Sequence, residues 1–256
     1  MYYFVDSDNK FRLLDGDRIA TLAASFIGDL ARQSGIADKL KVGVVQTAYA
    51  NGAASTYVEK NLKLPVICTP TGVKHLHHAA QRFDIGVYFE ANGHGTVLFS
   101  PTALRTIHTY EPSSPAQADA LSTLIGLTDM INQTTGDALS DMLMVEAVLA
   151  HKQWSCQEWF QTYKDLPNRL AKVEVHNRND FRTVEGTAER KLQAPSHAQE
   201  EIDELVAKFT DGRSFVRASG TEDAVRVYAE ARTAAEATDL CKGVEGIVRR
   251  HGARSS

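Results

Sequence analysis

Short apolar runs that alternate with helical stretches are the feature of this sequence that most limits its fold. Between residues 41 and 90 the runs KVGVVQT, LPVICTP and IGVYFE are separated by an Ala- and Ser-rich stretch and by KHLHHAAQRF. Strands that are connected through helices in this β-α-β-α-β order usually lie parallel in one sheet. We therefore expect a mostly parallel α/β sheet in this part of the chain.

Further strands and helices are predicted before and after this region of the sequence. YYFVD and FRLL have the pattern of two short strands around a turn at residues 6–9. A core-facing helix follows from Asp17 to about Gly35, and two more helical patterns lie between residues 116 and 150. The second of these opens at Asp137, and we expect it to bury Leu139, Leu143, Met144, Ala147 and Val148.

The pattern changes between residues 151 and 171, where aromatic residues are followed by the breaker sequence DLPNR. Beyond it we expect the strand LAKVEV, a helix over 198–209, the strands SFVRA and AVRVYAEA, and a closing helix. Helices returning to one side of a few strands indicate an α+β domain. The predicted fold class is thus an α/β sheet domain followed by a smaller α+β domain, with residues 85–90 and 214–218 in separate sheets.

Composition narrows the function classes. The chain has 256 residues, 43% of them hydrophobic, and its formal net charge of -4 comes from well-mixed signs, which argues against nucleic-acid binding. No apolar run approaches the roughly 18 residues of a membrane helix. Three widely spaced cysteines, Cys68, Cys156 and Cys241, match no metal-site spacing and fit a reducing compartment. We expect a cytoplasmic protein with neither nucleic-acid nor membrane partners.

The strongest local motif is FVRASGTEDAVRVY, residues 215–228, in which a turn of small hydrogen-bonding residues joins two predicted strands. Ser219 and Thr221 offer hydroxyls, and Gly220 lets backbone amides approach an anion closely. Arg217 and Arg226 flank the turn, and guanidinium groups match phosphate geometry. The same residue types fit a hairpin turn that satisfies only its own backbone. Residue types alone leave the phosphate site and the plain turn open.

A second motif, GVYFEANGHGTVLFS at residues 86–100, interleaves polar residues with glycines after an apolar strand. Ligands of α/β sheets bind at the carboxyl ends of the strands. Glu90 could accept hydrogen bonds from two sugar hydroxyls, Asn92 could donate and accept, and His94 could bind phosphate or assist a proton transfer. The alternative is a βα turn whose Asn and His cap backbone groups. Three such side chains on one turn favour ligand binding.

A third motif, TPTGVKHLHH at residues 69–78, also follows an apolar strand and opens a helix. Lys74 and His75 could contact an anion there. His75, His77 and His78 do not share one helix face, and no carboxylate converges on them. We therefore do not assign them a metal.

Two aspartates in Asp15-Gly16-Asp17-Arg18 invite a magnesium assignment. Magnesium needs several oxygen ligands in near-octahedral order, and this segment supplies too few. Asp15 or Asp17 is better placed to cap the helix that follows.

Taken in order, the motifs resemble those of the α-D-phosphohexomutases, and within them the acetylglucosamine branch. RASGTED with Arg226 is similar to the phosphate-binding loop of the family's last domain, although Ala218 replaces the usual proline. FEANGHG is similar to the sugar-binding loop of the third domain, where this branch has asparagine at the place of Asn92. TPTGVKH, INQTTGDALSDMLMVEA and DLPNR are also similar to this branch. The resemblance covers essentially the whole chain.

The resemblance implies an enzyme that interconverts N-acetylglucosamine 6-phosphate and N-acetylglucosamine 1-phosphate, a step toward UDP-N-acetylglucosamine. It implies Mg2+ in the intact enzyme and a bisphosphorylated sugar as intermediate or activator. It also implies that Glu90 and Asn92 hold sugar hydroxyls, with Lys74 and His94 as further candidates. The residues implied for the distal phosphate are Arg217, Ser219, Gly220, Thr221 and Arg226.

The family has four domains, and two of its signature loops do not occur in this sequence. These are a phosphoserine loop of the type Thr-Ala-Ser-His-Asn and a magnesium loop of the type Asp-Gly-Asp-Ala-Asp-Arg. We therefore expect residues 1–14 to end a preceding domain, 15–152 to form the sugar-binding domain, and 153–256 to form a linker and the phosphate-binding domain.

This organisation predicts a chain that binds a phosphosugar but has no mutase turnover alone, with a missing N-terminal half as its candidate protein partner. A non-catalytic phosphosugar-binding or regulatory module is the alternative, and a fragment without separate biology is a third.

Overall fold

The computed structural model describes residues 1–252, and the chain forms two compact units that meet in sequence between Lys164 and Asp165. The first unit is built on a four-stranded sheet. Its strands are β3 (Val42–Thr47), β4 (Val66–Thr69), β5 (Ile85–Phe89) and β6 (Gly95–Phe99), in the order β4-β3-β5-β6. β3 is parallel to β4 and β5, whereas β6 pairs antiparallel with β5. The predicted mostly parallel sheet is confirmed.

Helices cover both faces of this sheet. Their bounds are α1 (Gly16–Gln33), α2 (Gly52–Thr56), a π-helical stretch (Tyr57–Leu62), α3 (Val73–Ala80), α4 (Pro101–Thr109), α5 (Pro115–Met130), α6 (Ala138–Lys152) and α7 (Cys156–Phe160), with a short 3-10 turn at Ala37–Lys39. Neighbouring strand residues point to opposite faces. Val44 and Val87 therefore join the core around α1, whereas Val45 and Tyr88 join a smaller core under α3.

Two details of the helical layer differ from the prediction. Leu139 and Leu143 are 68% and 54% exposed and Ala147 is half-buried, because the buried stripe of α6 runs through Met144, Val145 and Val148. The sequence analysis also missed α4, although Ser100 caps it and proline occupies its first turn.

The chain begins with an antiparallel hairpin of β1 (Tyr2–Val5) and β2 (Phe11–Leu14), as predicted. The Tyr2 and Phe4 rings meet those of Trp159 and Phe160 edge-on, with ring centroids 5.6 and 5.7 Å apart. The opposite side of the hairpin exposes four large apolar side chains, namely Tyr3, Val5, Phe11 and Leu13.

The second unit has a three-stranded antiparallel sheet covered by two helices. The sheet order is β10 (Arg213–Ala218), β11 (Ala224–Glu230) and β7 (Asn168–Glu174). The other elements are a 3-10 turn (Arg178–Asp180), the hairpin β8 (Arg182–Thr183) and β9 (Leu192–Ala194), α8 (Ala198–Val206) and α9 (Ala234–Gly252). The predicted α+β fold is confirmed, and β5 and β10 lie in different sheets.

One face of this second sheet forms the core of the unit. Val173, Val225 and Val227 pack with apolar residues of α8 and α9. All six α9 residues predicted to be buried are buried, namely Ala237, Leu240, Cys241, Val244, Ile247 and Val248. Within residues 1–252, no helix combines the length and the apolar character needed to cross a membrane.

The first unit ends at Lys164, inside the stretch of residues 151–171 where the sequence pattern changes. Trp159, which the sequence analysis assigned to the linker, belongs to this first unit. Its side chain is fully buried in the first core, and its indole Nε1 donates a hydrogen bond to the carbonyl of Arg18 at 3.2 Å. The segment around α7 is therefore part of the first unit's core.

We predict that Trp159→Ala lowers the free energy of unfolding by about 3–5 kcal/mol, the usual cost of emptying a buried aromatic site. Trp154→Ala is the matched control, because the half-buried Trp154 lies over the Lys152 ammonium at 4.7 Å and fills less of the core. Urea denaturation of both variants measures the difference. Equal losses would contradict the placement of Trp159 in the core.

Candidate functional sites

The first turn of α1 holds the loops at the carboxyl edge of the first sheet. Asp15 caps the helix, its carboxylate accepting a hydrogen bond from the amide of Arg18 at 3.2 Å. Asp17 is buried, and its Oδ2 accepts a hydrogen bond from the amide of Asn51, in the loop after β3, at 2.7 Å. The capping question left open by the sequence is thus resolved in favour of Asp15.

Gly16 lies against the backbone of the turn that follows β5. Its amide donates to the carbonyl of Ala91 at 3.1 Å, and a Cβ atom at this position would lie 1.8 Å from the carbonyl oxygen of Glu90. No side chain fits at that distance. The Asp-Gly-Asp sequence is therefore a junction between α1 and two loops, a role that sequence reasoning missed because the partners are distant in the chain.

The turn from Glu90 to His94 joins the antiparallel strands β5 and β6, so it is a hairpin turn rather than a βα turn. The Glu90 carboxylate accepts hydrogen bonds from the amide of Gly72 at 3.2 Å and from the Asn92 side chain at 3.3 Å. Asn92 Oδ1 accepts from the amide of His94 at 2.8 Å. Glu90 thus links this turn to the loop after β4.

Hydrogen-bonding capacity remains on this turn after these contacts. An ionised carboxylate offers about four lone-pair sites, and an amide group offers two N–H donors. Glu90 uses two acceptor sites and Asn92 one N–H in the bonds just described. Both side chains can therefore contact sugar hydroxyls while the turn keeps its shape.

The other predicted residues of the first unit lie near this turn. The ring of His94 is exposed and packs beside Gly136, where a Cβ atom would lie 2.6 Å from the imidazole. Lys74 and His75 are exposed in the first turn of α3, directly after Gly72. The Nδ1 of His77 lies 3.0 Å from the hydroxyl of the buried Tyr88.

The carboxylates of Asp15 and Asp17 have separate hydrogen-bond partners. Asp15 caps α1, and Asp17 binds the loop after β3. Within residues 1–252, no three histidine, cysteine or acidic side chains are arranged to hold a metal ion.

In the second unit, β10 and β11 present Arg217 and Arg226 on opposite sides of the Ser219–Asp223 turn. These arginines face each other directly across the two strands. Ser219 is buried, and its backbone amide donates a hydrogen bond to the carbonyl of Ala224 at 2.8 Å, which closes the turn. A Cβ atom at Gly220 would meet nothing within 4 Å. No neighbouring residue therefore requires glycine at this position, and the open space beside Gly220 can hold a ligand.

Each arginine of this turn carries a carboxylate partner. Arg217 Nε donates to Glu189 at 2.9 Å, and Arg226 Nη2 donates to Glu222 at 2.7 Å. Glu222 also accepts a hydrogen bond from Lys172 at 2.5 Å. Glu189 has a left-handed backbone with φ of 62°, which side chains rarely favour. Sequence reasoning missed these carboxylates and Lys172.

Residues 15–154 match the family described as phosphoacetylglucosamine mutase AMG1, domain III. Residues 170–246 match the family described as phosphoglucomutase/phosphomannomutase, C-terminal domain. These matches confirm the resemblance that the motifs indicated.

Individual relatives agree with the family matches. The phosphoacetylglucosamine mutase of Candida albicans is 54% identical over 248 residues, which make up 96% of this chain and 45% of that protein. The crystal structure of Aspergillus fumigatus N-acetylphosphoglucosamine mutase in complex with GlcNAc-6P and magnesium is 64% identical, with a TM-score of 0.96, and the match covers 98% of this chain and 46% of that one. A second structure of the Aspergillus enzyme, in complex with glucose 1,6-bisphosphate, has a TM-score of 0.94 and the same 64% identity, covering 99% and 46%. The chain thus spans less than half the length of these relatives.

We predict that Gly16→Ala lowers the free energy of unfolding by about 1–3 kcal/mol, the usual cost of overpacking. The new methyl group would collide with a backbone oxygen that cannot move without displacing the Glu90 turn. Gly28→Ala in the same helix is the matched control, since its nearest neighbour is the flexible end of Arg32 at 3.5 Å. Urea denaturation should show Gly28→Ala to be neutral or stabilising. A Gly16→Ala chain as stable as the unsubstituted one would contradict the close contact.

Proposed function

The chain belongs to the phosphoacetylglucosamine mutase family. We propose that it is the substrate-binding part of an enzyme that interconverts N-acetylglucosamine 6-phosphate and N-acetylglucosamine 1-phosphate. The observation that carries the proposal is the turn between β10 and β11. It combines two arginines that lie opposite each other in the strand register with Ser219, an exposed Thr221 and an open space at Gly220. An Aspergillus relative described with GlcNAc-6P supports the choice of ligand.

The first unit supplies the sugar contacts in this proposal. Glu90 accepts hydrogen bonds from sugar hydroxyls with the lone pairs that Gly72 and Asn92 leave available. Asn92 contributes its remaining N–H. Lys74 and His94 are exposed near the same turn and serve as further contacts.

The second unit holds the phosphate that does not react. Arg217 and Arg226 contribute charge-assisted hydrogen bonds, and the hydroxyls of Ser219 and Thr221 with the amide of Gly220 contribute further donors. Phosphoryl transfer is catalysed mainly by positioning and by charge stabilisation. Contacts to the non-reacting end therefore contribute binding energy at the transition state.

In this proposal, the reacting phosphoryl group and Mg2+ are bound by the part of the enzyme that is present in the relatives but is not covered by this chain. The two aspartates at the start of α1 have other roles, so no step is assigned to them. A bisphosphorylated sugar as intermediate fits the Aspergillus structure with glucose 1,6-bisphosphate.

An N-terminal half is the proposed protein partner. The outer face of the β1–β2 hairpin exposes Tyr3, Val5, Phe11 and Leu13, and exposed apolar patches commonly mark interaction surfaces. The chain spans 45% of its Candida relative, so a further portion of such a protein is available to cover this face. We propose that the assembly is cytoplasmic and has no nucleic-acid or membrane partners. The mixed charge of the sequence argues against nucleic acid, and its three widely spaced cysteines fit a reducing compartment.

We predict that Arg217→Ala and Arg226→Ala each weaken binding of N-acetylglucosamine 6-phosphate by about 1.5–3 kcal/mol, the range of a hydrogen bond to a charged group. Calorimetry on each variant measures the loss. Arg232→Ala is the control, because Arg232 is an exposed arginine of the same unit that pairs with Asp211. If neither loop substitution changes the affinity, the turn is a plain hairpin and the phosphate assignment fails.

We also predict no conversion of N-acetylglucosamine 6-phosphate to the 1-phosphate by the purified chain alone. Phosphoryl transfer needs an acceptor nucleophile and charge neutralisation at the moving group, and the loops that provide them in this family do not occur in these 256 residues. The assay contains magnesium and the bisphosphate activator, with an intact mutase as the positive control. Turnover above background that survives controls for host-enzyme contamination would refute the prediction.

A further inference from the structure

A row of three cations crosses the second sheet on the face opposite its core. In the strand register Arg217 lies opposite Arg226, and Arg226 lies opposite Lys172 of β7. The valines on either side of Arg226 along β11, Val225 and Val227, point into the core. Since side chains alternate along a strand, the three cations share the other face as nearest neighbours.

Three like charges side by side repel one another unless an anion lies among them. In this structure Glu222 supplies that anion for two of them. Its Oε1 accepts from Arg226 Nη2 at 2.7 Å and its Oε2 from Lys172 Nζ at 2.5 Å. The hydrogen bond from Lys172 and the charges of Lys172 and Arg226 lower the pKa of the Glu222 carboxyl, so it is ionised at neutral pH. One anionic group can therefore bind Lys172 and Arg226 together.

We propose that Lys172 is a third cation of the phosphate-binding site and that the Glu222 carboxylate occupies the position of a phosphate oxygen pair until substrate binds. This inference rests on the proposed function of the turn.

The exchange of carboxylate for phosphate is physically reasonable. Glu222 belongs to the turn itself, and its side chain, like those of Lys172 and Arg226, is 38–44% exposed. Ion pairs as exposed as these contribute little to stability, so releasing one costs little. A phosphate monoester carries a charge of about −1.5 to −2 at pH 7 and three strong acceptor oxygens, which makes it the stronger partner for clustered cations.

The test separates a phosphate contact from a simple Lys172–Glu222 ion pair. Binding of N-acetylglucosamine 6-phosphate to the full 256-residue chain is measured by calorimetry for Glu222→Gln and for Lys172→Met in the Glu222→Gln background. In the Glu222→Gln background the Lys172–Glu222 ion pair is already absent. A further loss of affinity on Lys172→Met therefore reports contact with the ligand. Lys242→Met in the same background is the control, because Lys242 is an exposed lysine of α9, the helix that packs on the opposite face of the sheet.

We expect Glu222→Gln to bind the phosphosugar tighter, because the competing carboxylate is gone. Adding Lys172→Met should weaken binding about three- to tenfold, the effect of a charged hydrogen bond discounted for exposure. Adding Lys242→Met should change nothing. Equal affinity of Glu222→Gln and its Lys172→Met derivative would overturn the inference. If the Arg217 and Arg226 variants still lose affinity, the proposed function survives that outcome; if they do not, both fail.

Discussion

The close packing of the first turn of α1 against the Glu90 turn is the contact on which the first unit depends. Asp15 caps the helix, Gly16 touches the backbone of Glu90, and Asp17 holds the loop after β3. The buried Arg18 then donates to the carbonyls of Phe160 and Tyr163 at 2.9 and 3.0 Å. Four consecutive residues thus fix the helix and three other segments, and the candidate sugar loop takes its position from them.

The two candidate loops are held in different ways, and this affects how each can respond to a ligand. The Glu90 turn is fixed by backbone contacts and by a glycine that admits no side chain, so it is preorganised and loses little entropy on binding. The turn between β10 and β11 is fixed at its base by strand pairing, but its cations are neutralised by Glu189 and Glu222, which are only partly buried. The ion pairs of Glu222 are 38–44% exposed and can exchange partners at low cost.

Sequence reasoning located most strands, most helices and both loops, because these depend on local periodicity and turn chemistry, but it missed β6, β8 and β9. It failed where distant residues decide the outcome. Trp159 lies in a segment without regular pattern, and its buried indole donates a hydrogen bond to the carbonyl of Arg18, 141 positions earlier. Arg217 and Glu189 are 28 positions apart, and Glu189 has a left-handed backbone that no sequence pattern predicts. Residue types therefore predicted the donors of the candidate site but not the acceptors that neutralise them.

Glu90 combines a structural and a proposed binding role in one carboxylate, and this limits what its substitution can show. One oxygen accepts a hydrogen bond from the amide of Gly72, and the other accepts one from the Asn92 side chain. Asn92 in turn accepts a hydrogen bond from the backbone amide of His94. Removing the carboxylate would release both loops as well as any sugar hydroxyl, so the loss of affinity would mix two effects. Arg217 and Arg226 differ, because their strands keep their pairing through the backbone when either side chain is shortened. Changes at these arginines thus report on ligand contact more directly than changes at Glu90.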